Sequence, residues 1–214
     1  MRSITILKLV VFCIAMLTMR LLKTEHFSFF FLLWNLLLAS LPYWMISRYY
    51  KLKTSKGRFA IIAGTLLFLP NAPYLLTDLF HLTKNLVAPM WFDLVLILSF
   101  SILGLLLFII TAEKLFTILS TFFKSRAAFS CVKFLIILSN GYGIYLGRYL
   151  RFNSWDVISN PDDLALRMYQ SVFDRNNYKE TLAITITFAI FLYLVFEIYE
   201  SFKKRVEEKQ NELF

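Results

Sequence analysis

The chain of 214 residues is 58% hydrophobic and 18% aromatic but only 17% charged, whereas about 25% of the residues in soluble domains are charged. This composition excludes a disordered chain and a linker array, which are poor in aromatic residues. Both cysteines lie in apolar runs, so the sequence implies no disulfide framework. A net charge of +9 would suggest a nucleic-acid partner in a soluble protein. Because the basic residues cluster between long apolar segments, we predict instead an integral membrane protein that contacts the lipid bilayer, with no nucleic-acid partner.

A helix needs about 20 mostly apolar residues to cross the hydrocarbon core. Six segments reach this length, and they cover residues 4–22, 27–47, 59–82, 90–112, 127–147 and 181–199. The third is interrupted by Pro70 and Pro73, because a proline removes a backbone hydrogen bond and obstructs the preceding turn. The first lacks an A-x-A-like cleavage site, so we expect it to be retained. The sequence therefore predicts an all-α, polytopic integral membrane protein, a single domain over residues 1–214 with about six transmembrane helices.

Lysine and arginine residues near the ends of the spans predict the orientation, since cytoplasmic loops are enriched in them. Fourteen lie on the side of the N-terminus and eight on the other side, with Lys133 left out because it can snorkel from within the fifth span. The loop 48–58 is purely basic, whereas the loop 148–180 mixes both signs of charge. We therefore expect a multi-pass membrane protein with both termini in the cytoplasm.

The first candidate cluster follows the two prolines. Asn71 is suited to cap a helix that restarts with Pro73 in its first turn. On that helix Tyr74, Asp78 and His81 would form one polar stripe, since they are spaced i, i+4 and i+7. Asp78 and His81 can act as a proton-transfer pair, as half of a metal site, or as a structural pair in which the carboxylate orients the imidazole. A plain amphipathic helix at the interface explains the same pattern.

The fourth span begins with an acidic residue, Asp93. Capping of the helix is its default role, because an acid in the first turn is favoured by the helix dipole. Ionisable residues near or inside the membrane are also functional candidates. We predict that Asp78 or Asp93 pairs with one of the arginines at the end of the fifth span. In the second span, Asn35 is expected to form a hydrogen bond between helices.

The second candidate cluster closes the fifth span. Asn140 lies near mid-membrane, where an amide needs a partner, and Gly143 and Gly147 form a small-xxx-small face. Arg148 and Arg151 lie one turn apart at the outer boundary, where two guanidinium groups can capture a carboxylate or a phosphate. Snorkelling to lipid headgroups is the alternative role for each arginine. Downstream, residues 161–174 predict a short extracytoplasmic amphipathic helix, which is either a lid over the site or a strut on the membrane.

Sequence motifs for known chemistry are missing: there is no P-loop, nucleophile elbow, H-E-x-x-H or C-x-x-C. With only two histidines, His26 and His81, a three-histidine metal site is impossible. We therefore assign no cofactor and no metal site, although binding of a metal by Asp78 and His81 stays open. Whether the protein is an enzyme also stays open.

Two strings in the clusters are specific when taken together. One runs from Pro70-Asn71-Ala72-Pro73-Tyr74 into Thr77-Asp78-Leu79 and His81-Leu82, and the other contains Gly147-Arg148, Leu150-Arg151 and Asn153-Ser154-Trp155-Asp156. In these strings the chain resembles a bacterial family of small multipass membrane proteins, domain of unknown function 1361 (DUF1361). The resemblance covers most of the chain from the second span onward. It implies an integral membrane location in bacteria or archaea, which we take as the bacterial cytoplasmic membrane, and no particular activity.

Three functional hypotheses follow. The first is a polar binding site on the extracytoplasmic face, used to transport or sense a small anionic or lipid-derived solute. Its candidate residues come from both clusters and are Asn71, Tyr74, Asp78, His81, Asp93, Asn140, Arg148, Arg151, Asn153, Trp155 and Asp156. The second is an envelope enzyme acting on lipid or cell-wall precursors, with Asp78 and His81 as acid and base and with Arg148 and Arg151 holding phosphate. The third is a structural subunit whose Gly143/Gly147 face contacts a second copy or another membrane protein.

Overall fold

The computed structural model describes residues 3–82, 88–174 and 178–211. In these ranges all regular structure is helical, which confirms the predicted all-α fold. The α-helices are α1 Ser3–Thr24, α2 Phe31–Ser47, α3 Ser55–Phe68, α4 Asn71–Tyr74, α5 Met90–Ser120, α6 Arg126–Arg148, α7 Asp156–Ser159, α8 Pro161–Phe173 and α9 Tyr178–Asn211. Two 3₁₀-helices cover Tyr49–Lys51 and Leu75–His81.

Five helical segments are long and apolar enough to cross a membrane, and they are Ile4–Thr24, Ser55–His81, Met90–Ser120, Arg126–Arg148 and Tyr178–Asn211. The expected second span is shorter than predicted, because residues 27–30 form a turn and α2 begins at Phe31. Its 17 residues, most of them apolar, lie at the lower limit for crossing the hydrocarbon core. The protein is therefore a polytopic, multi-pass membrane protein.

Two helices extend beyond their predicted ends. α5 continues from the expected residue 112 to Ser120. α9 continues from 199, the end of its predicted span, to Asn211, where the mixed charges after residue 202 are typical of a solvated helical extension. The added part of α9 is charged and exposed, with Lys203 and Glu207 paired at 3.7 Å. Helical pairs of opposite charge four residues apart favour such a solvated extension.

The third span is broken as predicted. Pro70 and Pro73 cannot donate to the carbonyls of the preceding turn. The chain compensates locally, since the backbone N–H of Ala72 donates to Leu69 at 3.1 Å and the Asn71 side chain donates to the Phe68 carbonyl at 2.9 Å. The expectation that Asn71 caps the next helix is wrong, because α4 begins at Asn71 itself and its side chain turns back toward α3.

Packing against α5 supports the break. The Ser101 hydroxyl donates to the Leu75 carbonyl at 2.9 Å and to the Ile97 carbonyl of its own helix at the same distance. One turn further on, Gly104 lies against the Ala72 carbonyl oxygen and the Leu75 side chain, where no Cβ would fit. Irregular backbone at membrane depth is tolerated where neighbouring protein satisfies it, and α5 has this role here.

The chain divides into two compact units, Met1–Leu115 and Phe116–Phe214, whose boundary falls inside α5. The expected single domain over residues 1–214 stays a prediction. In the second unit α6 packs on α9 at Gly141, where an added Cβ would meet the Thr185 carbonyl oxygen and the backbone of Ala189. The amphipathic helix predicted at 161–174 is confirmed as α8, which is held to α6 by a 2.9 Å hydrogen bond between Ser171 and Tyr142.

Candidate functional site

The first polar cluster lies in the 3₁₀-helix that follows the break. The sequence predicted an α-helix here, but residues Leu75–His81 are 3₁₀-helical. With three residues per turn, Asp78 and His81 lie one above the other, and Tyr74 stands about a third of a turn away. The predicted stripe is therefore wrong for Tyr74 and holds for Asp78 and His81.

Helix α2 covers this pair with two side chains four residues apart. Asn35 donates a 2.9 Å hydrogen bond from its amide to the Asp78 carboxylate, and the Phe31 ring lies 5.0 Å from the His81 ring, centroid to centroid. Asp78 is buried. The predicted role of Asn35 in bonding between helices is confirmed. The arrangement presents a buried, oriented carboxylate one turn from an imidazole, which suits proton transfer as well as structural anchoring.

Asp93 has a different partner from the one predicted. Arg20 of α1 binds it bidentately, with Nε 2.7 Å from Oδ1 and Nη2 3.2 Å from Oδ2. Both side chains are almost completely buried, at 0% and 2% exposure. The Arg20 guanidinium also lies 4.1 Å from the centre of the Phe29 ring. Since both carboxylate oxygens of Asp93 are occupied by Arg20, we assign Asp93 to the fold rather than to a ligand site.

The sequence carried one signal for this pair that the prediction did not use. Arg20 follows Cys13 by seven residues on one face of α1, and Asp93 precedes Ser99 by six on α5. The structure joins both levels, since the Cys13 thiol contacts the Ser99 hydroxyl at 3.4 Å. When the polar residues of α1 and α5 are matched in opposite chain directions, Cys13 faces Ser99 and Arg20 faces Asp93, so this comparison would have identified the ion pair. The predicted pairing of Asp78 with Arg148 or Arg151 stays a prediction.

The second cluster begins where α6 ends. Arg148 is the last residue of α6, and the chain then turns through Arg151, whose φ is 61°. The turn closes with a 3.1 Å hydrogen bond from the Phe152 N–H to the Leu146 carbonyl. Glycine is the usual residue in such a left-handed position at a helix end, and an L-residue with a Cβ costs about 1 kcal/mol more there. Arg151 therefore lies in a strained turn between α6 and α7.

Arg151 lines a cavity of about 480 Å³, which is formed by the segment 149–152 after α6 together with residues of α7 and α8. The second guanidinium at this cavity is Arg167 of α8, not Arg148 as the spacing predicted, and the carboxylates are Asp156 and Asp163. Arg167 lies 3.6 Å from Asp163. Among the described residues of the second unit, 116–174 and 178–211, no ion pair or hydrogen bond to the Arg151 guanidinium is found.

The string around Asp156 builds the start of α7. The Asp156 carboxylate accepts a 2.6 Å hydrogen bond from the Asn153 backbone N–H and a 3.0 Å bond from the Ser159 hydroxyl. These bonds make Asp156 and Asn153 a turn that leads the chain from α6 to α8. Trp155 is the residue before α7, with its side chain about one third exposed.

Asn140 is buried on α6 and bonds within its own helix. Its amide donates to the Ile136 carbonyl at 2.7 Å. Its side-chain oxygen has no hydrogen-bond partner among the residues that the structure describes. The Asn140 amide nitrogen therefore has a hydrogen-bond partner, as expected, whereas the amide oxygen has none among the described residues.

The family to which the chain belongs follows from its sequence. The family described as Protein of unknown function (DUF1361) matches residues 34–195. The chain belongs to the DUF1361 family. No curated protein and no solved structure matches this DUF1361 protein.

The matched region contains both polar clusters and Asp93, whereas the partner of Asp93, Arg20, precedes it. Within the described part of this DUF1361 chain, no group of three or more His, Cys, Asp or Glu side chains is arranged to hold a metal ion. The candidate groups therefore act through hydrogen bonds and charge. The first unit has the oriented Asp78 carboxylate beside His81, and the second unit has the Arg151 and Arg167 guanidinium groups at a cavity.

Proposed function

We propose that this DUF1361 protein binds a small anionic solute or a lipid-derived anionic headgroup at the cavity lined by Arg151, and that it serves transport or sensing of that solute. The observation that carries the proposal is the position of the Arg151 side chain. It lies at a polar-lined cavity on a left-handed backbone, and no described carboxylate of the second unit pairs with it.

The charges of the cavity support an anionic ligand. Two cations and two carboxylates line it, but Asp163 lies beside Arg167 and Asp156 is engaged by the α7 turn. Arg151 is thus the charge available to a ligand. A guanidinium group is planar and binds a carboxylate or a phosphate through two parallel hydrogen bonds. Residues in strained backbone conformations cluster at ligand-binding sites, where the surrounding structure holds them in place.

The location proposed for this site is the extracytoplasmic face of a bacterial cytoplasmic membrane. The support is the excess of Lys and Arg on the side of the two termini, which favours a cytoplasmic position for both. The helix that forms one wall of the cavity, α8, carries exposed apolar residues such as Tyr169 and Phe173. Such a helix suits the interface between headgroups and acyl chains, where lipid-derived anions are found.

Calorimetric titration of the full-length protein in detergent micelles tests the proposal, with inorganic phosphate and glycerol 3-phosphate as the two probes. The Arg151→Gln variant is expected to weaken binding about tenfold or more, because a charge-assisted bidentate contact is lost. The Arg151→Lys variant keeps the charge and loses only the fork geometry, so it should bind with intermediate affinity.

The matched control is Arg126→Gln, which removes an exposed arginine from the opposite end of α6. It should bind both probes like the wild type. Preference for glycerol 3-phosphate would identify a lipid-derived headgroup, and equal binding would identify a free anion. Unchanged phosphate affinity of Arg151→Gln would contradict the proposal.

A second candidate function, an envelope enzyme acting on phosphorylated lipids, is supported by the alignment of Asp78 and His81 and by the hydrogen bond that orients Asp78. Vesicles of phosphatidic acid provide the probe, and release of inorganic phosphate provides the readout. The enzyme hypothesis predicts release by the wild type that Asp78→Asn abolishes while Asp163→Asn retains it. Equal background release by all three proteins would overturn this hypothesis.

A further inference from the structure

A groove runs between α6 and α9, away from the Arg151 cavity. It encloses about 640 Å³, which lies within the range of about 300–1,000 Å³ that small-molecule sites occupy. At one end its walls are apolar, and they include Ile137, Ile186 and Ile190. At the other end lie Lys133 and Glu200, close to the basic run that begins at Lys203.

The length of the groove matches one leaflet of a bilayer. Its lining extends from Ser130 to Leu138 on α6 and from Ile186 to Glu200 on α9. At 1.5 Å per residue these stretches measure about 12 Å and about 21 Å. One leaflet contributes about 15 Å of hydrocarbon. The apolar end of the groove is therefore at the depth of acyl chains, and the polar end is at the depth of headgroups.

The polar end holds a fixed pattern of charges. Lys133 Nζ lies 3.2 and 3.3 Å from the two carboxylate oxygens of Glu200, and it lies 5.3 and 5.2 Å from the ring centres of Phe116 and Phe196. An ammonium group has three N–H donors, so two bonds to Glu200 leave one donor for a ligand. One turn earlier on α9, Glu197 accepts a 2.7 Å hydrogen bond from the Tyr193 hydroxyl.

Taken together, the polar end carries one cation and two carboxylates. A ligand with a phosphate and an ammonium group separated by a short linker complements this pattern, since the phosphate meets Lys133 and the ammonium meets Glu197. A net anionic headgroup would be repelled by the excess carboxylate. A quaternary ammonium has no N–H with which to donate to a carboxylate.

We infer that the α6–α9 groove binds a phospholipid with a primary-amine headgroup, of the phosphatidylethanolamine class, in the leaflet on the side of the C-terminal end of α9. The acyl chain lies along Ile137, Ile186 and Ile190, and the headgroup lies between Lys133 and Glu197. This site is independent of the anion site at Arg151, because it uses neither the same residues nor the same end of α6.

Native mass spectrometry of the full-length protein in detergent tests the inference, with phosphatidylethanolamine, phosphatidylcholine and phosphatidylglycerol of identical acyl chains as the probes. The wild type is expected to retain phosphatidylethanolamine about tenfold more tightly than phosphatidylglycerol, because only the primary amine forms a charge-assisted hydrogen bond with Glu197. Glu197→Gln should remove most of that preference, and it leaves the Lys133–Glu200 ion pair in place.

Two tryptophan variants of exposed α9 residues form a matched pair. Ile190→Trp fills the groove and should abolish retention of phosphatidylethanolamine, whereas Leu182→Trp lies outside the groove and should retain it. Equal retention of the three lipids by the wild type would overturn the inference in favour of non-specific annular lipid. Unchanged retention in Ile190→Trp would place the lipid elsewhere. Loss of a dimer in Ile190→Trp without loss of lipid would identify a second copy of the chain as the occupant.

Discussion

The buried ion pair between Arg20 and Asp93 gives the sharpest prediction about the fold. Removing one partner leaves the other charge buried without compensation, which costs about 3–5 kcal/mol. Because both side chains are almost fully buried and two hydrogen bonds join them, we expect the full penalty for Arg20→Met and for Asp93→Leu. Arg20→Met also loses the contact with the Phe29 ring, which is worth about 1–2 kcal/mol when desolvated.

The double variant Arg20→Met/Asp93→Leu should recover most of the loss, since replacing a buried pair by apolar side chains is often neutral or stabilising. Because each single variant is expected to lose about 4 kcal/mol and the double variant only about 1 kcal/mol, the double-mutant cycle predicts a coupling energy of about 7 kcal/mol. Unfolding of the purified variants in mixed micelles with increasing denaturing detergent measures the four free energies. The exposed pair Arg167–Asp163, 3.6 Å apart, is the matched control, and its cycle should give about 0.5 kcal/mol. Additive effects of the two buried substitutions would refute the assignment of Asp93 to Arg20.

Three further predictions concern single residues that support the turn after α6, the packing of α6 on α9 and the broken third span. Arg151→Gly should raise the free energy of unfolding by about 1 kcal/mol, because it relieves the left-handed strain, while it removes binding of phosphate; calorimetry and unfolding in micelles measure the two effects. Gly141→Ala should lower stability by about 1–3 kcal/mol, because its Cβ meets backbone atoms of α9, as thermal unfolding would show. Ser101→Ala should cost about 1 kcal/mol in the same assay, because the Leu75 carbonyl loses a donor.

Each of these predictions has a control in the chain. Gly64→Ala brings a Cβ against the flexible Met45 side chain, at 3.2 Å from its sulfur, so it should be tolerated where Gly141→Ala is not. Ser120→Ala removes a hydroxyl that donates only within its own helix, to Thr117, and should be neutral. If Arg151→Gly had a lower free energy of unfolding than the wild type, the left-handed conformation of residue 151 would not destabilise the protein. Equal effects within the glycine pair or within the serine pair would contradict the packing described for α9 and for the broken span.

The helical architecture was predictable from the sequence because apolar length and proline position are local signals. The break at Pro70 and Pro73 and the amphipathic helix α8 followed from residue spacing alone. The end of α5 did not, because charged residues continue a helix as readily as they end one outside the membrane. The 3₁₀ geometry of Leu75–His81 was also not predicted, because the contacts that this segment forms with Asn35 of α2 and Ser101 of α5 are not visible in residue spacing.

Pairing between distant segments was the part that spacing could not supply. The partner of Asp93 is 73 residues away on α1, and the second guanidinium of the Arg151 cavity comes from α8. Spacing within one helix suggested Arg148 for that role because it is one turn from Arg151. The turn at Arg151 changes the direction of the chain, so neighbours in sequence cease to share a face.

The proposed binding of an anion by Arg151 is tested most directly by chemical modification of that side chain. Phenylglyoxal reacts with accessible guanidinium groups, and mass spectrometry of proteolytic fragments gives the rate at each arginine. We expect saturating inorganic phosphate to slow the modification of Arg151 about fivefold or more, in line with a contact of about 1 kcal/mol or more, and to leave Arg126 unaffected. Equal rates at Arg151 with and without phosphate and glycerol 3-phosphate would contradict the proposed site.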